Sequence, residues 1–317
     1  MTPALILGPL TVHAANSEQN FMVSGFPGPT ALNGFVHALE RKLVRYGVSG
    51  SGTAIIMHSA EEAIGHPKHQ QSDPTKIRNL EGAPIVESFV CRLQVSFIIN
   101  LKIHDDDAMA SLKESATAII MPLLASSRIA GGVIAAAGSG RGGHTGVRLA
   151  TTDVEMKAAL LNLGAGWLLL DRRDLLEARS DDKLAVLLDA MTLYAEQPTV
   201  AENAAETDPD PANTPKGAKA GKPEKVVKFT RRFKGWIVPL GIGFQAIERP
   251  NPNRQTARGH SVDAPHVYAE CVTGLGELVM FPGRMPEGAA ARAFWRYEHH
   301  APSGLYYMTA LPALLNS

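Results

Sequence analysis

The sequence lacks the cysteine content that a disulfide-stapled secreted protein needs. Its 317 residues include 2 cysteines, Cys91 and Cys271, which lie far apart and form no C-x-x-C motif. This usage is typical of free thiols in a reducing compartment. The first residues lack the basic and apolar regions of a secretory signal, and no uninterrupted apolar run reaches the ~18 residues needed to span a bilayer. We therefore expect a soluble cytoplasmic protein without a membrane partner.

The sequence also lacks net charge. Its 31 Lys and Arg residues are balanced by 31 Asp and Glu residues, so the whole chain is not a polycation. Any contact with nucleic acid would therefore depend on a local basic patch. The hydrophobic content of 45% is ordinary for a globular protein, and the length allows one large domain or two small ones.

The N-terminal stretch predicts a strand, a loop and a helix. The apolar run Ala4–Val12 has strand length, and Asn16 and Ser17 begin a loop rich in glycine and proline. Helical spacing of apolar residues predicts a helix over Thr30–Leu43, with Thr30 as its N-cap. The residues expected to face a core are Leu32, Phe35, Val36, Leu39 and Leu43.

A second face of this predicted helix is basic. His37, Arg41 and Arg45 recur every four residues and form a stripe. From periodicity alone, a solvated helix face is the commoner explanation, and a binding surface is the alternative.

The next segments complete an alternation of strands and helices. Thr53–Met57 and Phe89–Ile103 are predicted strands, and the second alternates between an apolar face and a mostly polar, partly basic face. That polar face is either solvated or a platform for RNA. Asp105–Asp107 favour a helix start, Pro122 marks the helix end, and Val133–Ala137 is a further strand candidate. The order is compatible with an α+β, ferredoxin-like sheet of the RNA-recognition type.

A glycine-rich, basic loop follows at residues 138–150. It contains Arg141, His144 and Arg148, and it nearly matches a phosphate-binding P-loop. His144 stands where that motif needs Lys, so we do not expect nucleotide hydrolysis. The loop either cradles an RNA backbone with its N–H groups and guanidinium groups or is a flexible surface loop.

The C-terminal half is divided by residues 198–224, which have almost no large apolar side chains and are predicted to be a flexible linker or insertion. We therefore divide the chain into 1–197, 198–224 and a β-rich part, 225–317. Before the linker, an amphipathic helix is predicted from Leu184, Leu187, Leu188, Met191 and Tyr194.

The β-rich part holds a basic segment and an aromatic cluster. Residues 222–258 contain nine basic side chains against two acidic ones. The aromatic cluster is expected to serve core or interface packing rather than base stacking. Its members are Phe294, Trp295, Tyr297, Tyr306 and Tyr307.

Enzyme and metal signatures are weak. The pairs His66/His69 and His299/His300 lack further ligands at metal-site spacing, so we expect neither a metal nor another cofactor. No G-x-S-x-G elbow is present. The enzymatic alternative is a metal-independent ribonuclease in which His37 or His144 acts as general base on a ribose 2′-OH. A protein-only assembly module is a third hypothesis.

Two motifs carry a resemblance to a known family. The order A-N-S, G-F-P and T-A-x-x-G-F-x-H-A-L-x-R-K-L over residues 14–43 resembles the start of the Csy-type, Cas-five-type backbone subunit of the type I-F CRISPR surveillance complex. Arg128–Ile134 resembles the R-x-A-G-G-x-I segment of the same family. The resemblance implies a modified ferredoxin-like fold of the repeat-associated (RAMP) superfamily with a thumb-like extension.

The resemblance also implies a function. Such a subunit is a non-catalytic scaffold that holds the 5′ handle of the guide RNA (crRNA) and caps one end of the backbone in antiviral defence. Its protein partners would be the large subunit and the first repeated backbone subunit, and it would meet target DNA only indirectly. The Lys228–Lys234 segment would follow phosphates, as a thumb-like hairpin does.

The candidate RNA contacts combine the two motifs with the basic loop and the basic segment. Arg128 has a structural alternative because it immediately precedes a Gly-Gly turn. The candidates are Asn16, Ser17, His37, Arg41, Arg128, Gly131, Gly132, Arg141, His144, Arg148, Lys228, Arg231, Arg232 and Lys234.

Overall fold

The strand predicted from alternation, Phe89–Ile103, has those bounds in the structure and lies inside one large antiparallel sheet. The computed structural model describes residues 2–64, 68–69, 85–86, 88–135, 146–178, 182–196, 228–251 and 266–311. The strands are β1 (Ala4–Asn16), β2 (Val48–Ile64), β3 (Lys68–His69), β4 (Ile85–Val86), β5 (Phe89–Ile103), β6 (Arg128–Ile129), β7 (Gly132–Ile134), β8 (Gly146–Ala150), β9 (Gly166–Asp171), β10 (Tyr194–Glu196), β11 (Lys228–Thr230), β12 (Trp236–Ala246), β13 (Ala269–Phe281), β14 (Arg296–His300) and β15 (Leu305–Thr309).

Helices pack against this sheet and confirm the mixed α+β class. Short 3-10 turns follow α1 at Val44–Tyr46 and β14 at Ala301–Ser303. The α-helices are α1 (Pro29–Leu43), α2 (Asp106–Ala125), α3 (Asp153–Leu161), α4 (Arg173–Glu177), α5 (Lys183–Met191) and α6 (Ala289–Ala293).

The sheet joins both halves of the chain. Its eleven strands run β14-β15-β12-β13-β9-β2-β5-β1-β7-β6, with β8 beside the first half of β1. The sheet curls, because Thr53 of β2 and Trp295, next to β14, exchange two backbone hydrogen bonds of 2.9 Å. The buried Trp295 also donates from Nε1 to the carbonyl oxygen of Leu169 at 2.9 Å. The C-terminal strands therefore extend the sheet that the N-terminal strands begin.

The apolar run at the start of the sequence forms β1, which is buried on both of its faces. Leu5 and Leu7 belong to the core on the side of α1 and α2, whereas Ala4 and Ile6 belong to a second core on the side of α3. Because both faces are covered, successive residues of β1 are all apolar, as is usual for a strand buried on both sides.

The polar face of β5 is open at its two ends and closed in the middle, so the predicted wet face is correct for the ends alone. Arg92 and Lys102 are exposed, but Ser96 between them is fully buried. Ser96 Oγ lies 2.8 Å from Nε2 of His58, whose Nδ1 lies 2.7 Å from the carbonyl oxygen of Ala165. Burial lowers the pKa of His58. The second core covers this part of the strand.

Helix α1 has the predicted apolar face but a different start. All five predicted core residues are buried. The N-cap is Gly28, and Pro29 takes the first helical position, where its missing N–H costs nothing and its fixed φ suits the helix. The prediction of Thr30 as N-cap is therefore wrong, because Thr30 lies inside the first turn and its Oγ1 reaches the carbonyl oxygen of Gly241 at 3.5 Å.

Helix α2 begins as predicted and ends later. Asp105 is its N-cap and accepts from the backbone N–H groups of Asp107 and Ala108 at 3.0 Å each. Pro122 lies inside the helix, which continues to Ala125. By length and composition alone α2 is apolar enough to cross a membrane, a test that core helices of non-membrane proteins also pass. Its buried residues are Met109, Leu112, Ala116, Ile120 and Leu124.

The orientation predicted for the helix before the linker is correct for Leu187, which packs against a small core, and wrong for the other apolar residues of the helix. In α5 the buried residues are Val186 and Ala190, whereas Leu184, Leu188 and Met191 are exposed. The small core beneath α5 contains Ala190 with Ile237 of β12 and Leu275 of β13, and Leu187 packs at its margin. Strands β10 and β11 pair beside this helix, and the predicted linker, 198–224, lies between them and outside the described residues.

The two cysteines are free, as predicted. Cys91 is buried in β5, and burial raises the pKa of its thiol to about 11, so it stays a neutral packing group.

Candidate nucleic-acid interface

A cleft of about 560 Å³ opens between α1, the end of β1 and the turn after α2. It brings together Asn16, Arg128 and Gly131 from the two motifs that the sequence singles out. The lining residues are Asn16, Ala31, Gly34, Phe35, Ala38, Lys42, Ser126, Ser127, Arg128, Ala130 and Gly131.

One wall of the cleft is a tight hairpin between β6 and β7. Its two turn residues, Ala130 and Gly131, have φ values of 47° and 78°. Positive φ at both central positions matches the right-handed twist of the flanking strands. Arg128 braces the turn by donating from Nη1 to the carbonyl oxygen of Gly131 at 3.1 Å, so its structural role is real. Its side chain nevertheless remains on the exposed surface.

The hairpin is held directly against β1. Asn16 donates its backbone N–H to the carbonyl oxygen of Ala130 at 2.8 Å. A Cβ atom at Gly132 would lie 2.7 Å from both the backbone nitrogen of Ala15 and the carbonyl oxygen of His13. Gly132 has no side chain with which to contact a ligand, and its role is to permit the close approach of two backbones.

Asn16 and Ser17 have different environments. The Asn16 side chain is exposed and bonds the backbone of Glu18, donating to its carbonyl oxygen at 3.0 Å. Ser17 is fully buried and donates from Oγ to Glu62 Oε1 at 3.3 Å. Ser17 therefore holds the loop in place and does not present its hydroxyl to the cleft, contrary to its selection as a direct contact.

The basic stripe of α1 is exposed but lies beside the cleft rather than in its lining. His37 Nδ1 is 3.7 Å from Glu40 Oε2, and burial raises the pKa of that Glu40 carboxyl. Arg41 is exposed, and the guanidinium of Arg45 lies 5.0 Å from the ring centre of Tyr46. Sequence reasoning missed Lys42, the basic residue of α1 that does line the cleft. The position of Lys42 beside Arg41 could have indicated it, but the search for basic residues at four-residue spacing did not include it.

The basic segment after β11 forms a second surface, defined here as the ribbon: strands β10 and β11 with the turn 231–235. Arg231 and Lys234 are exposed. Arg232 forms an ion pair with Asp189 of α5, which also accepts from the Tyr194 hydroxyl at 2.7 Å. Lys228 lies in β11, where its backbone pairs with Glu196. None of these four residues lines the cleft.

The remaining candidates divide between the edge of the sheet and the undescribed part of the chain. Arg148 is exposed on β8, opposite Ile6 of β1. Arg141 and His144, with most of the near-P-loop, lie outside the described residues.

The described ranges contain no candidate metal site. No group of three or more His, Cys, Asp or Glu side chains there is arranged to hold a metal ion. His300 instead uses Nδ1 in a contact of 2.7 Å with Ser303 Oγ.

Comparisons with known proteins agree with the motif resemblance. A family model described as CRISPR-associated protein (Cas_Csy2) matches residues 5–308. The CRISPR-associated protein Csy2 of Pseudomonas aeruginosa (strain UCBPP-PA14) is 26% identical over 321 residues, covering 95% of this chain and 93% of that protein. The family match includes every residue that lines the cleft.

Proposed function

Because the chain belongs to the Csy2 family of CRISPR-associated proteins, of type I-F systems, we propose that it is a non-catalytic subunit that holds the 5′ handle of the guide RNA. The observation that carries this proposal is the cleft. It joins an N-terminal loop, one face of α1 and the hairpin after α2 into a single concave surface.

The chemistry of the cleft suits an RNA backbone. Among the described residues its lining contains two basic side chains, Lys42 and Arg128, and no acidic one. Arg128 commits one N–H to Gly131, which leaves other guanidinium N–H groups for phosphate oxygens. Ala31 and Gly34, small residues of α1, let a sugar–phosphate chain approach the helix closely.

Recognition in this proposal is by backbone and shape, with splayed bases read by hydrogen bonds. Single-stranded RNA presents unstacked base edges that an amide such as Asn16 can both donate to and accept from. Phosphate contacts release counterions, so affinity falls steeply as salt rises. Arg41, His37 and Arg148 would add charge around this centre.

We propose further that residues 1–197 form a ferredoxin-like domain of the RAMP type, with its central elements between residues 4 and 150. The support is topological, because the element order is β1-α1-β2-β5-α2 and then β7 and β8, and the strand order is β7/β8-β1-β5-β2. In this proposal residues 198–224 are an insertion carried by the thumb-like ribbon, and 225–317 complete the sheet.

The assembly role follows from the same family membership. We propose that the chain works in the cytoplasm as one end of a ribonucleoprotein backbone. The large subunit would be its heterodimer partner, the repeated backbone subunit would be its neighbour, and target DNA would be met through the complex.

The test is co-expression with the neighbouring subunits and a repeat-spacer RNA, followed by purification and sequencing of the retained RNA. Intact guides protected at the 5′ handle are expected with the natural chain. Replacing Lys42 and Arg128 together with Ala should reduce that protection, whereas Lys157→Ala, an exposed change on α3, should leave it unchanged.

Two results would overturn the proposal. Fragments that appear only when His37 and His144 are present would identify a ribonuclease. A complex whose handle protection is indifferent to the Lys42 and Arg128 changes would leave a protein-binding module.

A further inference from the structure

A row of ring side chains crosses three neighbouring strands at the C-terminal end of the sheet. Phe244 of β12 stands opposite Tyr306 of β15, and Tyr306 stands opposite His299 of β14. Residues directly opposite each other in an antiparallel pair share one face. Phe244, Tyr306 and His299, hereafter the ring row, therefore lie side by side on one face.

The ring row is open where the rest of that face is covered. Met308, two residues beyond Tyr306 on the same strand, is buried in the core beneath α1. Phe244 is 50% exposed and Tyr306 is 41% exposed. A cavity of about 630 Å³ lies between the ring row and the turns at 246–250 and 301–304. Cavities of this size are typical of sites that bind small molecules.

Tyr306, the centre of the ring row, is braced from one side. Tyr297 stacks on Tyr306 with ring centres 5.0 Å apart and an interplanar angle of 18°. The Tyr297 hydroxyl donates to the carbonyl oxygen of Thr30 at 2.9 Å, which ties the stack to the first turn of α1. A ring held in this way loses little conformational entropy when another planar group stacks on it.

The ring row continues the surface of the cleft around α1. A Cβ atom at Gly34, which lines the cleft, would lie 3.8 Å from the Tyr297 hydroxyl. The exposed His37 ring lies edge-on to Tyr297 at 6.1 Å. An RNA strand that leaves the cleft would reach the ring row after crossing α1 alone.

We propose that the ring row is a stacking subsite for unpaired bases of the RNA whose backbone occupies the cleft, an inference that rests on the proposed function. Aromatic rings stack bases without requiring a particular sequence. The margin of the cavity carries one cation, the exposed Arg249, and one carboxylate, Glu248, which accepts from the backbone N–H of Tyr268 at 2.9 Å. Stacking rather than charge would therefore hold the bases at this subsite.

The test couples ring removal with base removal. Full-length protein in its complex is titrated with repeat RNA in which single handle nucleotides are replaced, one at a time, by abasic sites. The variants are Tyr306→Leu and Phe244→Leu, which keep an apolar side chain without a flat ring. Tyr306→Phe keeps the ring and is the matched control. Phe21→Leu changes an exposed ring on the loop before α1.

The expected result is a position-specific loss. Stacking of one base on one ring contributes roughly 5- to 150-fold in affinity. One or two abasic positions should weaken binding by the natural chain and by Tyr306→Phe, and should add no further loss in Tyr306→Leu. Independent, additive losses at every position would overturn the stacking subsite.

The remaining outcomes separate this inference from the proposed function. Handle binding that needs Lys42 and Arg128 but ignores both Leu variants would retain the cleft and reject the ring row. Weaker retention of a protein subunit in RNA-free complexes of Tyr306→Leu would reassign the ring row to a protein contact. RNA binding that ignores all of these changes would reject both proposals.

Discussion

The cleft and the ribbon both display basic side chains, but they differ in how those charges are engaged. In the cleft, Arg128 bonds a neutral carbonyl oxygen, and the described lining has no carboxylate. In the ribbon, Arg231, Arg232 and Lys234 are all exposed, and Arg232 is paired with Asp189. The ribbon therefore has the greater density of basic residues in the sequence, yet part of its charge is already paired with a carboxylate at its surface.

The difference shows that counting basic residues overstates a binding surface. An arginine bonded to a carbonyl keeps its full positive charge, whereas one paired with a carboxylate must first lose that partner or share it. We therefore expect the cleft to contribute more to RNA affinity for each basic residue than the ribbon does.

The largest effect is expected from Gly132→Ala, which would force the β6–β7 hairpin away from β1. The new Cβ atom would lie 2.7 Å from two backbone atoms that cannot move aside as a side chain does. The free energy of unfolding should fall by about 3 kcal/mol, and the cleft should lose RNA binding while the ribbon stays intact. Chemical denaturation and RNA titration measure the two effects.

Gly131→Ala is the control for this change. Gly131 has a φ of 78° but open space around its Cβ position. It should cost only about 1 kcal/mol from the left-handed backbone. Equal losses from both substitutions would show that the close approach of the two backbones is not what shapes the cleft.

A smaller effect is expected from removing charge in pairs. Lys42→Ala with Arg128→Ala should weaken RNA binding by about tenfold at physiological salt. The slope of log affinity against log salt should decrease by about 1.4, since each phosphate contact to a single strand contributes about 0.7. Measuring affinity at several salt concentrations gives the slope.

The equivalent pair in the ribbon is Arg231→Ala with Arg232→Ala. Because Arg232 is already neutralised, this pair should weaken RNA binding less and reduce the slope by about 0.7. An unchanged slope would remove the ribbon from the site. A reduction as large as that for the cleft would contradict the difference between the two surfaces.

Releasing Arg232 from its ion pair should make the contribution of the ribbon to RNA binding more similar to that of the cleft. Asp189→Asn removes the carboxylate charge but keeps an oxygen that accepts from the Tyr194 hydroxyl. The salt slope should become steeper by about 0.7, and stability should change by less than about 1 kcal/mol because the ion pair is partly exposed. Asp174→Asn, which changes a carboxylate bonded to Arg172, is the control and should leave the slope unchanged.

The smallest effect is a dependence on pH that neither basic surface produces. Burial lowers the pKa of His58, so the folded state binds fewer protons than the unfolded state as pH falls below the ordinary histidine value. The stabilising contribution is present above that value and is lost as the solution becomes more acidic. The melting temperature should therefore drop more between pH 7.5 and pH 5 for the natural chain than for His58→Gln.

The comparison of His58→Gln with the natural chain also separates acid unfolding from a change in the charge of the RNA-binding surfaces. Arginine and lysine keep their charge throughout that range. RNA affinity per folded molecule should therefore change by the same factor in His58→Gln and in the natural chain. A different factor would place His58 in the binding site.

Periodic apolar patterns allowed much of the fold to be predicted. The buried face of α1 and the bounds of β5 follow from local spacing alone, because each apolar side chain there has one face to occupy. The outward face of α5 could not be predicted in this way. Leucines at helical spacing indicate an amphipathic helix, but which side of the helix meets the sheet is decided by distant strands, and Val186 and Ala190 are the residues buried there.

The cleft was predicted in part. Asn16, Arg128 and Gly131 were identified through motifs and do share one surface. Ser17 was chosen with them, but its partner, Glu62, is distant in sequence and no local pattern indicates that contact. Lys42 was missed because its place in the cleft depends on the hairpin that packs across α1.

The backbone hydrogen bonds between Thr53 and Trp295 can form only late in the synthesis of the chain. Every segment that lines the cleft is synthesised before the chain reaches β9, whereas the curled sheet closes only after Trp295 has left the ribosome. The segments that line the cleft therefore exist for a time without the strands that complete the sheet. Truncated chains stalled before β14 should then depend on chaperones for solubility, since they expose the strand edge that Trp295 later covers.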